Sequence, residues 1–220
     1  MPSVKIAKKS TDTDMTPFVD IAFLILSFFI MATKIKAPEP IRTTPPHSVS
    51  SKDLPVKEAI YIVIDDQNRV FLNIPVENGT DKIKSIISNI NTARGLNLTA
   101  AQMDNFAKVP MVGAPLSQLG TLLSLSDAQR AKVIQPGIPV TDTLNNELEW
   151  WVGAARTAFA GGKLKFMIKG DEKSKFPTFE GVVNALRKNE EYKYFLVTSQ
   201  EQAPAGTEMY NAQQRGDKIQ

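Results

Sequence analysis

The sequence contains no cysteine, a single histidine and no block of like charge. Without cysteine there are no disulfides, no thiolate metal sites and no cysteine nucleophiles, a composition compatible with a bacterial periplasm. The one histidine, His47, lies in a Pro-rich stretch without companion ligands, so it reads as a solvated side chain rather than a metal ligand or base. Basic and acidic residues number 26 and 23, for a net charge of +3. They are interspersed, so no nucleic-acid footprint is expected. A phosphate-binding Walker loop, a dinucleotide fingerprint, a His-Glu-x-x-His pair and a Gly-x-Ser-x-Gly elbow are all missing. Glu147 and Glu149 are close in sequence but fall on different helix faces, and both are expected to be solvated. A conventional enzyme is not expected, nor a metal or an organic cofactor.

What is present is one long apolar run, Met15-Thr-Pro-Phe-Val-Asp-Ile-Ala-Phe-Leu-Ile-Leu-Ser-Phe-Phe-Ile-Met-Ala-Thr33, in a chain of slightly negative mean hydropathy (−0.17). As a helix it would extend about 28 Å, just enough for a bilayer core of roughly 30 Å. A transmembrane helix is expected over residues 15–35, after an N-terminal tail of residues 1–14. The alternative of a cleavable signal peptide fits poorly. Pro17 and Asp20 interrupt the usual layout, and Lys34 and Lys36 crowd any cleavage site. Lysines flank the run on both sides, so charge alone does not orient it.

Asp20 is the residue that stands out. An ionised Asp inside a span costs about 2.5–3.5 kcal/mol, which a simple anchor would have no reason to carry. Residues three, four and seven apart share a helix face. From Asp20 that face carries Thr16, Phe23, Leu24, Ser27, Met31 and Lys34, a sparse polar stripe on an apolar helix. Such a stripe should face protein or a water-filled cavity. For Ser27 the alternative is a hydroxyl that merely bonds a local carbonyl. For Asp20 it is an interfacial carboxylate outside the hydrocarbon. A carboxyl able to exchange a proton within the bilayer is the usual hardware of a proton path. One helix cannot enclose such a path, so a membrane partner or an oligomer is required.

Asp14-Met-Thr-Pro-Phe-Val-Asp20, followed by an apolar helix ending in Phe28-Phe29-Ile30-Met31, resembles the N-terminal signature of the ExbD/TolR family. There a Thr-Pro-hydrophobic-hydrophobic-Asp segment opens a single transmembrane helix. Thr16 and Pro17 match the Thr-Pro of that signature, and Asp20 matches its proton-carrying Asp.

Beyond the helix, residues 36–56 form a linker in which Pro38, Pro40, Pro45, Pro46 and Pro55 favour extended backbone. The resemblance implies an alternating hydrophobic segment ending in Leu-Pro here. Ile41-Arg-Thr-Thr-Pro-Pro46 keeps only Ile41 and a final Pro, which counts against strand pairing of this linker.

The soluble domain is assigned to residues 57–200. Ala59–Ile64 and Arg69–Asn73 read as a hairpin about the turn Asp65-Asp-Gln-Asn68. Thr80 or Asp81 caps a helix that places Ile83, Ile86, Ile87 and Ile90 on one face. Leu164–Lys169 reads as a strand, Thr178 as the cap of a helix carrying Phe179, Val182, Val183 and Leu186, and Tyr194–Thr198 as a last strand. The fold class is therefore α+β: one N-terminal transmembrane helix, then a small ββα-βαβ domain with helices on one face. The segments Lys163–Asp171 and Phe195–Ser199 are again similar to the C-terminal half of the ExbD/TolR periplasmic domain.

Residues 91–161 have no counterpart in that pattern and read as a mostly helical insertion. Thr99-x-x-Gln102 and Ser126-x-x-Gln129 offer two capping boxes. Leu144, Leu148, Trp151, Val152, Ala155 and Phe159 line one face of a longer helix ending at Gly161-Gly162. These positions either pack the insertion onto the sheet or form a partner-binding surface. In the second case Trp150 and Trp151 are its candidate anchors, with Pro17 a candidate partner contact in the membrane. The polar tail, residues 201–220, is expected to be frayed.

The resemblance implies a single-pass inner-membrane protein, N-terminus in the cytoplasm and C-terminal domain in the periplasm. It implies two copies inside an ExbB/TolQ-like polytopic ring, coupled to protons through Asp20 on a polar face with Thr16 and Ser27. A TonB-like periplasmic protein would receive the motion and energise outer-membrane transport. The alternative is a TolR-like or other membrane-tethered adaptor that contacts the envelope or peptidoglycan.

Overall fold

A computed structural model of the chain describes residues 15–32, 41, 43–48, 58–109, 111–142, 144–160 and 164–200. The chain divides into two compact units, Met1–Glu39 and Pro40–Gln220. The expected tails, 1–14 and 201–220, lie outside the described residues.

The first unit contributes helix α1, Thr16–Ala32, of 17 residues. Pro17 falls in its first turn, where a missing N–H breaks no helical bond. The Met15 carbonyl accepts from the amides of Phe18 and Val19. No side chain of α1 is buried, and its phenylalanines, leucines and isoleucines are all exposed. At about 1.5 Å per residue α1 reaches about 26 Å. Among the described residues no helix is long and apolar enough to cross a membrane.

The second unit is built on β2 (Ala59–Ile64), β3 (Val70–Asn73), β4 (Lys165–Gly170) and β5 (Tyr194–Leu196), in the order β3-β2-β4-β5, after a short strand β1 (His47–Ser48). The β2–β3 hairpin is antiparallel, and β2–β4 and β4–β5 are parallel. Asp65, 1% exposed, closes the hairpin. One of its oxygens accepts from the amides of Gln67 and Arg69, and the other from Arg69 Nε at 2.7 Å. Asn68 takes the left-handed backbone (φ 63°) that the turn needs and that Asn tolerates well.

Alternation along the strands sends Ile60, Ile62, Ile64, Val70, Leu72, Phe166 and Ile168 into one core. Helix α2, Thr80–Arg94, covers it with Ile83, Ile86, Ile87 and Ile90, and stops at the left-handed Gly95. Helix α7, Phe176–Lys188, adds Val182, Val183 and Leu186. It starts before Thr178, which is buried in the first turn instead of capping it. Pro177 near the helix start fixes that earlier beginning. The other sheet face carries a small cluster of Val63, Phe71 and Met111, with Tyr61 and Ile41 packed on it.

The stretch 91–161 is mostly helical, as expected. It contains α3 (Ala100–Phe106), α4 (Leu116–Ser124), α5 (Asp127–Arg130) and α6 (Leu148–Ala158). Both capping boxes form, with Thr99 and Ser126 bonded reciprocally to Gln102 and Gln129. The insertion also seals the outer edge of β3. Val112 exchanges two backbone bonds with Leu72, and the Ile138 amide donates to the Val70 carbonyl.

Several expectations are corrected. Helix α6 begins at Leu148, and Leu144 is 96% exposed, because Asp142 draws Leu144 into a side-chain turn. The last strand is only Tyr194–Leu196, since Ser199–Gln200 leaves the sheet as β6 and pairs in parallel with β1. Residues 47–48 of the linker do therefore supply a strand. Backbone pairing asks nothing of side-chain hydrophobicity, which is why the departure from the alternating pattern did not prevent it.

Candidate functional site

On α1, Thr16 and Asp20 sit one helical turn apart. Thr16 and Asp20 lie together along an open groove with Met15, Val19 and Phe23. Ser27, two turns beyond Asp20, is half-buried and donates from Oγ to the Leu24 carbonyl at 2.9 Å. That is the local bond considered for Ser27, so its hydroxyl proton is occupied within the helix itself. Asp20 is exposed.

In the second unit residues 43–48 form a strap against the domain. The Thr44 amide donates to Asp171 Oδ2 at 2.8 Å, and the Thr44 carbonyl accepts from the Glu172 amide at 3.0 Å. Asp171 is 7% exposed. Its other oxygen takes the Lys173 amide at 3.0 Å. The amides of Thr44 and Lys173 hold its carboxyl below the ordinary aspartate value. Further along, Ser199 donates from its amide to the Pro46 carbonyl and from Oγ to the Pro45 carbonyl. The same Oγ lies 3.0 Å from His47 Nδ1. His47 is exposed. Asp171 was not singled out as a functional residue. Its signal was the Gly170-Asp171 step after a strand, followed by Ser174, which reads as a side-chain turn.

The two tryptophans part company. Trp151 is wholly buried and stacks on Phe106, with centroids 5.7 Å apart. It packs the insertion and is not a surface anchor. Trp150 is 42% exposed, with the Arg94 guanidinium 4.8 Å above its ring. The solvated pair Glu147 and Glu149 is also corrected. Glu147 is 8% exposed and accepts the Leu116 amide at 2.7 Å at the start of α4. Glu149 is half-buried and pairs with Lys188 at 2.7 Å. Among the described residues no group of three or more His, Asp or Glu is placed to hold a metal ion.

Beside β4, strand β5 presents an outer edge with Phe195 and Leu196 exposed. Comparison with known proteins adds one result to this geometry. No curated protein and no solved structure gives a significant match to the chain. The family model "Biopolymer transport protein ExbD/TolR" matches residues 7–201, a span that takes in Asp20, the strap and the whole sheet. With most of its length covered by that match, the chain belongs to the ExbD/TolR family of biopolymer transport proteins.

Proposed function

We propose that the chain is an ExbD-like subunit of a proton-driven inner-membrane motor. In this reading α1 crosses the membrane once with the N-terminus in the cytoplasm, the apolar run of the sequence being longer than α1 by Met15 and Thr33. The second unit is periplasmic. Asp20 carries the proposal: it is a lone acid on a helix that buries none of its apolar side chains in its own chain. Those side chains need lipid or another protein to cover them. Two copies would sit within an ExbB/TolQ-like ring. Proton binding and release at Asp20 would change which contacts with the ring are favourable, and that difference would drive movement. Thr16 and Ser27 share the face, and Pro17 sets the helix start.

The second unit would pass the motion to a TonB-like partner that energises outer-membrane uptake. The outer edge of β5 suits an extended segment adding as a strand. The test is Asp20→Asn, which removes the exchangeable proton while keeping size and polarity. It should abolish energy-dependent uptake and leave copurification with the ring partner intact. Wild-type uptake in this variant would end the proton-relay reading. A TolR-like envelope adaptor is the second reading, because the family description covers both names. Envelope defects without loss of TonB-dependent uptake in a deletion strain would favour it.

A further inference from the structure

Two cavities of about 270 and 260 Å³ lie at α5 and the loop after it, the larger reaching Phe71 of β3, and share Met111, Arg130, Ala131 and Gln135 in their walls. Among the described residues the larger is lined by three cations, Arg69, Arg130 and Lys132, and by no carboxylate. Arg69 is already matched by Asp65. Arg130 is not fully used. It is 9% exposed, donates from one terminal nitrogen to the Leu125 carbonyl at 2.8 Å, and meets the exposed Asp127 at 3.3 Å. Its Nε–H is enclosed, with no partner among the described residues, and a terminal nitrogen beyond the one bonded to Leu125 remains to meet an acceptor. A guanidinium offers five donors in a planar fork suited to a carboxylate.

Apart from these cations and Gln135, the side chains lining the larger cavity are apolar. Phe71 and Met111 are buried, and Ile41 of the strap reaches the same cluster. Ile134 in the wall is 83% exposed. A hydrated inorganic anion would waste this surface, whereas a group that is part apolar and part anionic uses both sides.

We propose that this cavity binds a small apolar group bearing a carboxylate, with the carboxylate on Arg130 and Lys132 and the apolar part on Phe71 and Met111. The ligand is either a free small acid or the C-terminal residue of a peptide. Its volume fits a side chain of leucine size. Because Ile41 lines the site, an occupant would touch both the strap and the insertion. The site is separate from Asp20, and the proposal stands whether or not the motor reading does.

The full chain in detergent, labelled with 13C at its methionine methyls, provides the assay through the Met111 resonance. N-acetyl-leucine is the first probe, being too polar to be lost to micelles. It should shift the Met111 signal saturably, and N-acetyl-leucinamide should bind about tenfold or more weakly, since it forfeits the charge-assisted bonds. Lys132→Ala, at an exposed position, and Arg130→Gln should each weaken the acid and leave the amide unchanged. The acid-amide comparison in the unmodified chain needs no variant to fold. Acetyl-Ala-Ala-Leu separates the two sources: tighter binding assigns the site to a peptide end, weaker binding to a free acid. Equal binding of N-acetyl-leucine and its amide, or no Met111 response to either, would overturn the proposal.

Discussion

The Thr44 amide donates to the Asp171 carboxylate at 2.8 Å, joining positions separated by 127 residues. That bond fastens the linker to the sheet where β4 ends. Its strength depends on Asp171 being ionised, because a protonated carboxyl is a poorer acceptor for the two amides it holds.

Loosening of the strap should follow acidification. The Asp171 carboxyl is held below its usual value by the Thr44 and Lys173 amides. Its stabilisation is therefore complete above the unfolded value of about 3.9 and is lost as pH falls through the lower folded one. Hydrogen exchange at the Thr44 and Ser199 amides should show no titration of this contact at neutral pH. Asp171→Ala should loosen both amides at pH 7, by about 1.5–3 kcal/mol per lost charged bond. Unchanged exchange in the variant would show that the strap is held by something else.

The neighbouring tryptophans should respond oppositely to truncation. Trp151→Ala removes a fully buried ring stacked on Phe106 and should cost about 3–5 kcal/mol in urea unfolding. Trp150→Ala removes a partly exposed ring and its Arg94 contact, and should cost about 1 kcal/mol or less. Similar losses at both positions would contradict the burial described.

Glu147 should behave as a structural acceptor. Helix α4 has no side-chain cap from Pro115, and Glu147 supplies one from 31 positions away at Leu116. Glu147→Ala should lose about 1–3 kcal/mol through the unpaired buried amide. Glu147→Gln keeps an acceptor and should lose less. Equal losses would mean that the charge, rather than the bond, matters.

Two helical glycines should separate cleanly. A Cβ at Gly181 would run into the Val140 carbonyl oxygen, whereas at Gly120 it would meet only ordinary contacts, the nearest being Leu98 at 3.5 Å. Gly120→Ala should therefore raise stability by about 0.5–1 kcal/mol. Gly181→Ala should lower it. A stable Gly181→Ala would mean that α7 can retreat from Val140.

The hairpin and α2 were legible because short-range rules decide them. Asp65-Asp-Gln-Asn68 is turn chemistry, and the four isoleucines of α2 repeat at helical spacing. The strap was not legible. Its hold depends on Asp171 and Ser199 being carried to residues 43–48 by the folded sheet, and no local pattern encodes that meeting. Glu147 was misread for the same reason, since its partner lies at the start of another helix. Leu144 shows the opposite failure: it fits the apolar period of α6, but the Asp142 side chain competes for its amide and the helix starts later. On α1 the adjacency of Thr16 and Asp20 was legible from their four-residue spacing.

The central pairing of the sheet sets the order of assembly. Ala59 pairs with Lys165 and Ile64 with Gly170, so β2 waits while about a hundred further residues are made. At synthesis rates of roughly 5–20 residues per second that is several seconds or more. During that interval the β2–β3 hairpin has one sheet edge without its native neighbour and Ile60 and Ile62 uncovered, a state prone to mispairing. The 91–161 segment is made within this interval, and its Val112 and Ile138 can occupy the β3 edge before β4 is translated. It closes the β3 side of the hairpin early and leaves the β2 side open to mispairing until Lys165–Gly170 is made.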